Sequence, residues 1–534
     1  MVVIRRSVTA ALSRHHSSPL ALLLNSLLLL LLLSLPFSLS YPDGEATTTA
    51  TTTTSSSSLP DQDDWINHSF LKQLELSGSV SSSVLTVQIS PSSSSSSPTQ
   101  DSFSPYYFTL PSTEAEAVSW AKAILKSSSQ REVLQVESHG PLKQDASTHL
   151  FSVRIPKSSI PSASASSPLT LILETTLNHL SYPLPSTVKQ NGEMFLQWTG
   201  DAAIRSPYRT EKGRVKVKCP HPKILSFHPD ASQGATKSGS TITFGSYEDV
   251  APYTPGSEVK TGSVHYQHVL PVISMVELDR LVEISHWGDN MATEDKIWLR
   301  NDGAKLKGHF SRIDHQMATF YSKANSHVLS TLAIHLPPGS KEAYFTDSIG
   351  NVSTSHFRPS PSAPYSLTVP SNLLPPSRVS VLEIQPRFPV LGGWNYTFTI
   401  GWNNRLGEGG WGKSLGSNEY LVAVPFLTPV TDVAMDQVRT KIVLPEGATD
   451  IQFEVPFEMD SISTETHTTY LDTKGRPSIV LSKSQCSEKH GSLIYVRYTL
   501  TPSAHLRKPI AITAISIGLL LSAALLLRFD VKIR

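Results

Sequence analysis

Eight residues, "GEGGWGKS" from Gly407 to Ser414, satisfy the phosphate-loop pattern G-x-x-x-x-G-K-[ST]. Such a loop works only when a strand feeds it and a helix comes directly after. The backbone amides and the helix N-terminus then face the phosphates. The preceding "YTFTIGWNN" reads as a strand, but the residues after the motif are "LGSNEYLVAVPFLTPV", with Gly416, Pro425 and Pro429. They read as a second strand, so the segment is expected to be a long hairpin loop made flexible by glycines. No nucleotide is expected to bind there.

Other candidate groups carry less. "HYQH" offers His265 and His268, which fall on opposite faces of a strand. Glu294 and Asp295 are adjacent and point apart for the same reason. "DQDD" at Asp61 to Asp64 reads as a solvated charge run. Two cysteines, Cys219 and Cys486, could pair, but they make no disulfide framework and no closed zinc site. There is no nucleophile elbow, no H-E-x-x-H and no arranged triad. The expectation is a chain that is not an enzyme by itself, with no catalytic residues, no metal and no cofactor. Three N-glycosylation sequons remain, at Asn67, Asn351 and Asn395. Asn395 has opposite parity to Tyr396 and Phe398, which places it on the solvent face of its strand.

The ends of the chain say where these groups would sit. Arg5, Arg6 and Arg14 precede an apolar run from Leu20 to Leu35, followed by "SLSY". That is a secretory signal peptide over residues 1–40, cut after Ser40. At the other end, Ile510 to Leu527 is uncharged, with Thr513, Ser516 and Ser522 its only polar side chains. As a helix it spans about 27 Å, the hydrocarbon thickness of a thin bilayer. The leader makes the bulk of the chain lumenal and leaves residues 528–534 in the cytosol. Within the span, Ala511, Ala514, Gly518 and Ser522 recur every three or four residues and form one small-residue stripe. Such a stripe, above all Ala514, Gly518 and Ser522, suits packing against another membrane helix.

A net charge of +1 gives no electrostatic case for nucleic acid. Ser- and Thr-rich runs at Thr47 to Ser58, Pro91 to Pro98 and Ser158 to Pro168 cannot bury apolar surface. Residues 41–60 therefore read as a low-complexity neck. Elsewhere alternation dominates: Val215, Val217 and Cys219; Tyr396, Phe398, Ile400 and Trp402; Ile451, Phe453, Val455 and Phe457. "LIYVRYTL" at Leu493 is similar. The fold class expected is mainly β. It comprises two tandem antiparallel β-sandwich-like domains, 61–262 and 263–505, with few helices, plus the terminal membrane helix. One amphipathic helix is expected in "STEAEAVSWAKAILK", with Thr113 and Glu116 as a capping box and Ala117, Ala121, Ile124 and Leu125 sharing a face.

Several long segments, in order, go beyond pattern. They are Val282 to Gln316 ("VEISHWGDNMATEDKIWLRNDGAKLKGHFSRIDHQ"), "DSIGNVSTSH" from Asp347, "PRFPVLGGW" from Pro386, "VLPEGA" from Val443 and "YLDTKGRP" from Tyr470. Together they closely resemble the ribophorin I family, the large single-span subunit of the endoplasmic reticulum oligosaccharyltransferase. The resemblance implies a non-catalytic subunit supporting transfer of an oligosaccharide from dolichol pyrophosphate to asparagine of nascent polypeptides. It implies partners in the other subunits, the catalytic one included, and in the lipid bilayer, and a type I topology with two lumenal β-rich domains. Asn351 then matches a glycosylated position. Animal members continue past the span into a cytosolic segment that contacts the ribosome, a contact the short tail here puts in doubt. Trp287, Trp298, Phe388 and Trp394 are expected to be core and turn residues. The competing classes are a glycosylated cell-surface recognition protein and a stand-alone membrane-anchored hydrolase.

Overall fold

A computed structural model describes residues 59, 62 and 64–528, except 93–102, 127–130, 157–167, 231, 233, 322–326, 362–378 and 470–471. The expected signal peptide, most of the neck and the tail after Arg528 lie outside the described residues.

The alternating segments are strands, and they assemble twice into the same arrangement. The first eight-stranded sheet runs Ala235–Ser238, Thr241–Val250, Thr210–Lys218, Trp65–Glu75, Val80–Pro91, Leu169–Asn178, Val118–Lys126, Arg131–Leu134. The second runs Ser461–His467, Arg476–Cys486, Ala434–Val443, Ile273–Ser285, Asn290–Asn301, Asn395–Arg405, Lys341–Asp347, Gly350–Asn351. Ranked by chain position, the two orders are identical. In each, the first strand pairs antiparallel with the second and parallel with the sixth. Each half also carries a four-stranded and a three-stranded sheet, again in matching rank order. The parallel pair departs from the purely antiparallel expectation.

The first set of sheets ends with Thr261–Gln267, which pairs with Phe195–Asp201. That strand straddles position 262, where the sequence places a boundary; the second set begins at Ile273. The halves are tied by a short parallel pairing of Thr187–Val188 with Lys305–Leu306. Across the same junction, His179 Nε2 lies 2.6 Å from Asp436 Oδ1, and Asn178 Nδ2 donates to the Cys486 carbonyl at 3.0 Å.

Core positions follow the alternation. Val215, Val217 and Cys219 are buried in the first half, and Tyr396, Phe398, Ile400 and Trp402 in the second. Each such apolar side chain contributes about 1.5–3 kcal/mol of burial. Ile451, Phe453, Val455 and Phe457 are only half-buried against that core. Both cysteines are buried free thiols, so they do not pair; burial pushes each up to about 12.

The expected amphipathic helix is not there. Only Ser112–Ala115 is helical, its N-cap is Pro111, and no side chain caps it. Val118–Lys126 is instead an inner strand between Leu169–Asn178 and Arg131–Leu134. Ala123 and Leu125 enter the core, while Ala121 and Ile124 stay half-buried. Two flanking strands supply backbone hydrogen bonds along the segment, and this tertiary pairing overrides the alanine-rich helix propensity.

Candidate functional site

Strand directions decide which loops meet. Ile273–Ser285, Ala434–Val443 and Ser461–His467 all run toward one end of the second half, and Asn290–Asn301 and Arg476–Cys486 run away from it. Their loops therefore converge: the hairpin tip at His286 and Trp287, the turn through Glu446, and the turn through Asp472. Leu493–Leu500 delivers the chain to the same end, into Pro502–His505 and the terminal helix Arg507–Arg528.

These loops grip the start of the helix. Asp472, whose side chain is inaccessible to solvent, accepts from the Thr469 amide at 2.7 Å and the Thr469 hydroxyl at 2.8 Å. It also accepts from Arg476 Nε at 3.3 Å and from the Lys508 ammonium. Arg476 continues to Glu283 at 3.2 Å. Glu446 Oε1 accepts from the Thr473 amide, the Thr473 hydroxyl and the Lys474 amide at 3.0, 2.5 and 2.8 Å. Arg507 and Lys508 lie 4.0 and 3.9 Å from that carboxylate. Burial pushes both carboxyls up, but the hydrogen bonds outweigh it, bringing Asp472 down to about 2 and holding Glu446 below its usual range. Both therefore stay ionised at neutral pH, matched to the two cations that open the helix.

Packing completes the joint. Gly447 has φ +86°, and a Cβ there would lie 2.7 Å from that of Ala504, so only glycine lets the turn approach the helical segment this closely. The Trp287 indole stacks on His505 at 4.6 Å with a 6° interplanar angle and donates to its carbonyl at 3.1 Å. His286 bonds the Tyr498 hydroxyl at 2.7 Å and meets the Tyr420 ring edge-on. The arrangement ties the start of the terminal helix to three loops of the second half; it lines up no nucleophile with a base.

The phosphate-like segment lies at this end too. No helix succeeds it: Gly412–Gly416 is a strand paired with Glu419–Pro425. Nor is it a loose loop. Trp411 is buried, and the amides of Gly407, Gly409, Gly410 and Gly412 donate to Asp289, Arg405, Gly407 and Leu406. Those amides cannot cradle a phosphate. Lys413→Ala is therefore expected to leave the protein unchanged and ATP unbound; isothermal titration showing saturable ATP binding lost with this substitution would contradict that.

Among the sequons, Asn351 and Asn395 are exposed. Asn67 is corrected: it is fully buried. Its Nδ2 donates to Ser206 and Thr210 at 2.9 and 3.1 Å, and Oδ1 accepts from Tyr106 at 3.1 Å. A glycan there would leave those partners unpaired inside the core. Glycopeptide mapping is expected to find Asn351 and Asn395 occupied and Asn67 bare; a glycan on Asn67 in the folded protein would overturn this. Of the four aromatics expected in core and turns, Trp287 lies exposed in a turn and Phe388 exposed in a bend, Trp394 packs half-buried against the core, and Trp298 is half-buried on its strand. His265 and His268 do face opposite ways, as do exposed Glu294 and buried Asp295.

Three of the segments that carry the resemblance, those around Trp287, Glu446 and Asp472, thus meet at one joint. A family model described as Ribophorin I matches residues 65–527, from the first strand to the end of the apolar helix. The chain belongs to the ribophorin I family. It is 32% identical over 343 residues to dolichyl-diphosphooligosaccharide–protein glycosyltransferase subunit 1B of Oryza sativa subsp. japonica, covering 64% of this chain and 66% of that one. The Arabidopsis thaliana subunit 1B is 32% identical over 62% of this chain and 66% of its own. The Caenorhabditis elegans subunit 1 is 29% identical over 74% and 62%. The matches to these ribophorin I relatives thus span just under two thirds of their length. Yeast leukotriene A4 hydrolase aligns over 39% of this chain and 30% of its own at a TM-score of 0.23 and 10% identity, too distant to carry an argument.

Proposed function

We propose that this chain is a non-catalytic subunit of the oligosaccharyltransferase of the endoplasmic reticulum membrane. It would hold two lumenal β domains, divided near residue 270, over a single C-terminal span. Its partners would be the other subunits, the catalytic one among them, and the nascent polypeptides being glycosylated. The observation that carries this reading is the ribophorin I match running unbroken through the joint and the helix. The helix Arg507–Arg528 is long and apolar enough to cross a bilayer, and none of its side chains is buried by the rest of the chain. A stiff joint suits a subunit whose task is to hold lumenal surface in place beside a membrane-embedded active site.

Affinity purification in mild detergent tests this. The expected result is co-recovery of the catalytic subunit, with glycans on the chain sensitive to endoglycosidase H. Recovery alone, with glycans processed beyond that stage, would point to a cell-surface protein instead.

The stripe of Ala511, Ala514, Gly518 and Ser522 is proposed as the seam with a neighbouring membrane helix. Lipid tails are as apolar as leucine, so close backbone approach is what gains packing energy. A Cβ added at Gly518 meets nothing within 4 Å in this chain. Gly518→Leu should therefore insert and fold normally but lower recovery of the catalytic subunit severalfold. Equal recovery would make the span a plain anchor.

A further inference from the structure

The joint contains a small open cleft, lined by Ile284, His286, Trp287, Glu446, His505 and Lys508 among others. One group in it is unfinished. Glu446 spends Oε1 on three hydrogen bonds, while Oε2, buried, has no hydrogen-bond partner. The nearest cation, Lys508 Nζ, stops 3.9 Å away because it is engaged by Asp472. A buried carboxylate oxygen left bare is costly, so the site calls for a donor from outside the chain, preferably a charged one.

Depth says where that donor comes from. The cleft is walled by His505 and Lys508, and the uncharged run begins at Ile510, two residues on. At about 1.5 Å per residue, that puts Lys508 about 3 Å and His505 about 7 Å from the hydrocarbon edge. The polar layer on each face of a bilayer is about 5–7 Å thick. The cleft therefore opens into the lipid headgroups. Exposed Trp287 beside it is the kind of amphipathic ring that settles at that depth.

We propose that this cleft binds the headgroup of a membrane phospholipid carrying a primary ammonium, of the ethanolamine type. The ammonium donates to Glu446 Oε2, and the headgroup phosphate is countered by Arg507, whose side chain is about a third exposed. A quaternary choline headgroup has no N–H and leaves Oε2 bare. The joint would then be completed by the membrane it stands on. This rests on the proposed seating of Arg507–Arg528 in a bilayer.

The test uses the full-length chain in phosphatidylcholine nanodiscs doped, at equal fraction, with phosphatidylethanolamine or its mono- or dimethylated derivative. Lipid retained through a delipidating wash is read by native mass spectrometry. Each methyl removes one donor from the same lipid, so retention should fall along the series, by about tenfold from primary to quaternary ammonium. Glu446→Gln should remove most of that preference. Because Glu446 also braces the Thr473 turn, the wild-type series decides the matter even if this variant folds poorly. Equal retention of all the headgroups, or a full preference surviving in a folded Glu446→Gln protein, overturns the headgroup site and leaves the span intact. Release of the chain from vesicles by alkaline carbonate overturns the bilayer seating and the site together.

Discussion

Asp472→Asn should loosen the joint more than any other single change at that end of the molecule. The buried carboxylate serves Thr469, Arg476 and Lys508 at once. Asparagine keeps one acceptor and removes the charge, so two cations remain beside a neutral group. Breaking a fully buried ion pair from one side costs about 3–5 kcal/mol. Here Lys508 and Arg476 keep side-chain exposures of 24% and 17%, so water offsets part of the loss and about 2–3 kcal/mol is expected. For a domain of this size that is a fall of roughly 4–12 °C in melting temperature. The change should be local. Amide exchange should speed up in the turn after Thr469 and in the first turn of the terminal helix, and stay unaltered in the first half. Lys508→Gln should reproduce part of the effect, and the double variant should cost less than the sum. Simple additivity would mean that Asp472 and Lys508 do not act together.

Acid should have the same effect on the wild type. Asp472 and Glu446 are both held below their ordinary values. Groups of that kind contribute stability that is fully present above the unfolded carboxylate range, near pH 4–4.5, and lost as pH falls through the folded value. The window is therefore from about pH 4.5 down to about pH 2. Asp472→Asn should flatten that part of the stability profile; an unchanged acid limb would remove Asp472 from the account.

None of this joint was legible as a site in the sequence. "YLDTKGRP" reads as a polar turn, and "VLPEGA" as another. Only the parallel pairing of Ile273–Ser285 with Ala434–Val443, and the antiparallel return of Arg476–Cys486, bring Glu446, Asp472 and Lys508 together. Pairing of strands so far apart in the chain leaves no local trace. The strands themselves were legible, because burial on one face imposes a period of two, as at Tyr396 to Trp402. The exception at Val118–Lys126 is instructive. Its alanines fit a helix and a strand alike, and neighbouring strands decided.

Asn67 shows a signal that parity alone could have used. It shares a face with Trp65, as Asn395 is opposed to Tyr396, so the rule that exposes Asn395 also buries Asn67. The tandem repeat left no such trace. Two halves with the same strand order share no evident sequence period, because a fold fixes where apolar side chains fall and not which ones they are.

The repeat does leave one chemical mark. The eighth residue of the first strand in each half is a buried cation, Lys72 or Arg280. Lys72 meets Glu114 at 2.6 Å. Arg280 meets Asp295 at 3.5 Å, with both side chains essentially inaccessible. Asp295 also accepts from the Thr428 hydroxyl at 2.6 Å, and the guanidinium lies 5.5 Å from the Trp402 ring centroid. Burial outweighs the neighbouring charge and pushes the Asp295 carboxyl up, the mark of a pair that costs much of what it gains.

Asp295→Ala should accordingly be severe, by about 3–5 kcal/mol, because the Arg280 charge loses its carboxylate inside the core. Replacing both, as Arg280→Met with Asp295→Asn, should restore most of that, to within about 1 kcal/mol of wild type, since the amide keeps an acceptor for Thr428. If the double variant is as unstable as the single one, the pair is a net stabiliser and the desolvation argument fails. What the pair supplies beyond stability is register. Arg280 and Asp295 are direct cross-strand partners, whereas Glu294, one residue away, faces solvent. A one-residue slip would drive Glu294 inward and turn Asp295, Ile297 and Leu299 out of the core, so the pair and its apolar neighbours fix the register together. That same hairpin carries His286 and Trp287 to the helix. The neutral double variant should therefore remain folded while amide exchange at the hairpin tip accelerates, a separation of stability from placement that no simple loss of packing would produce.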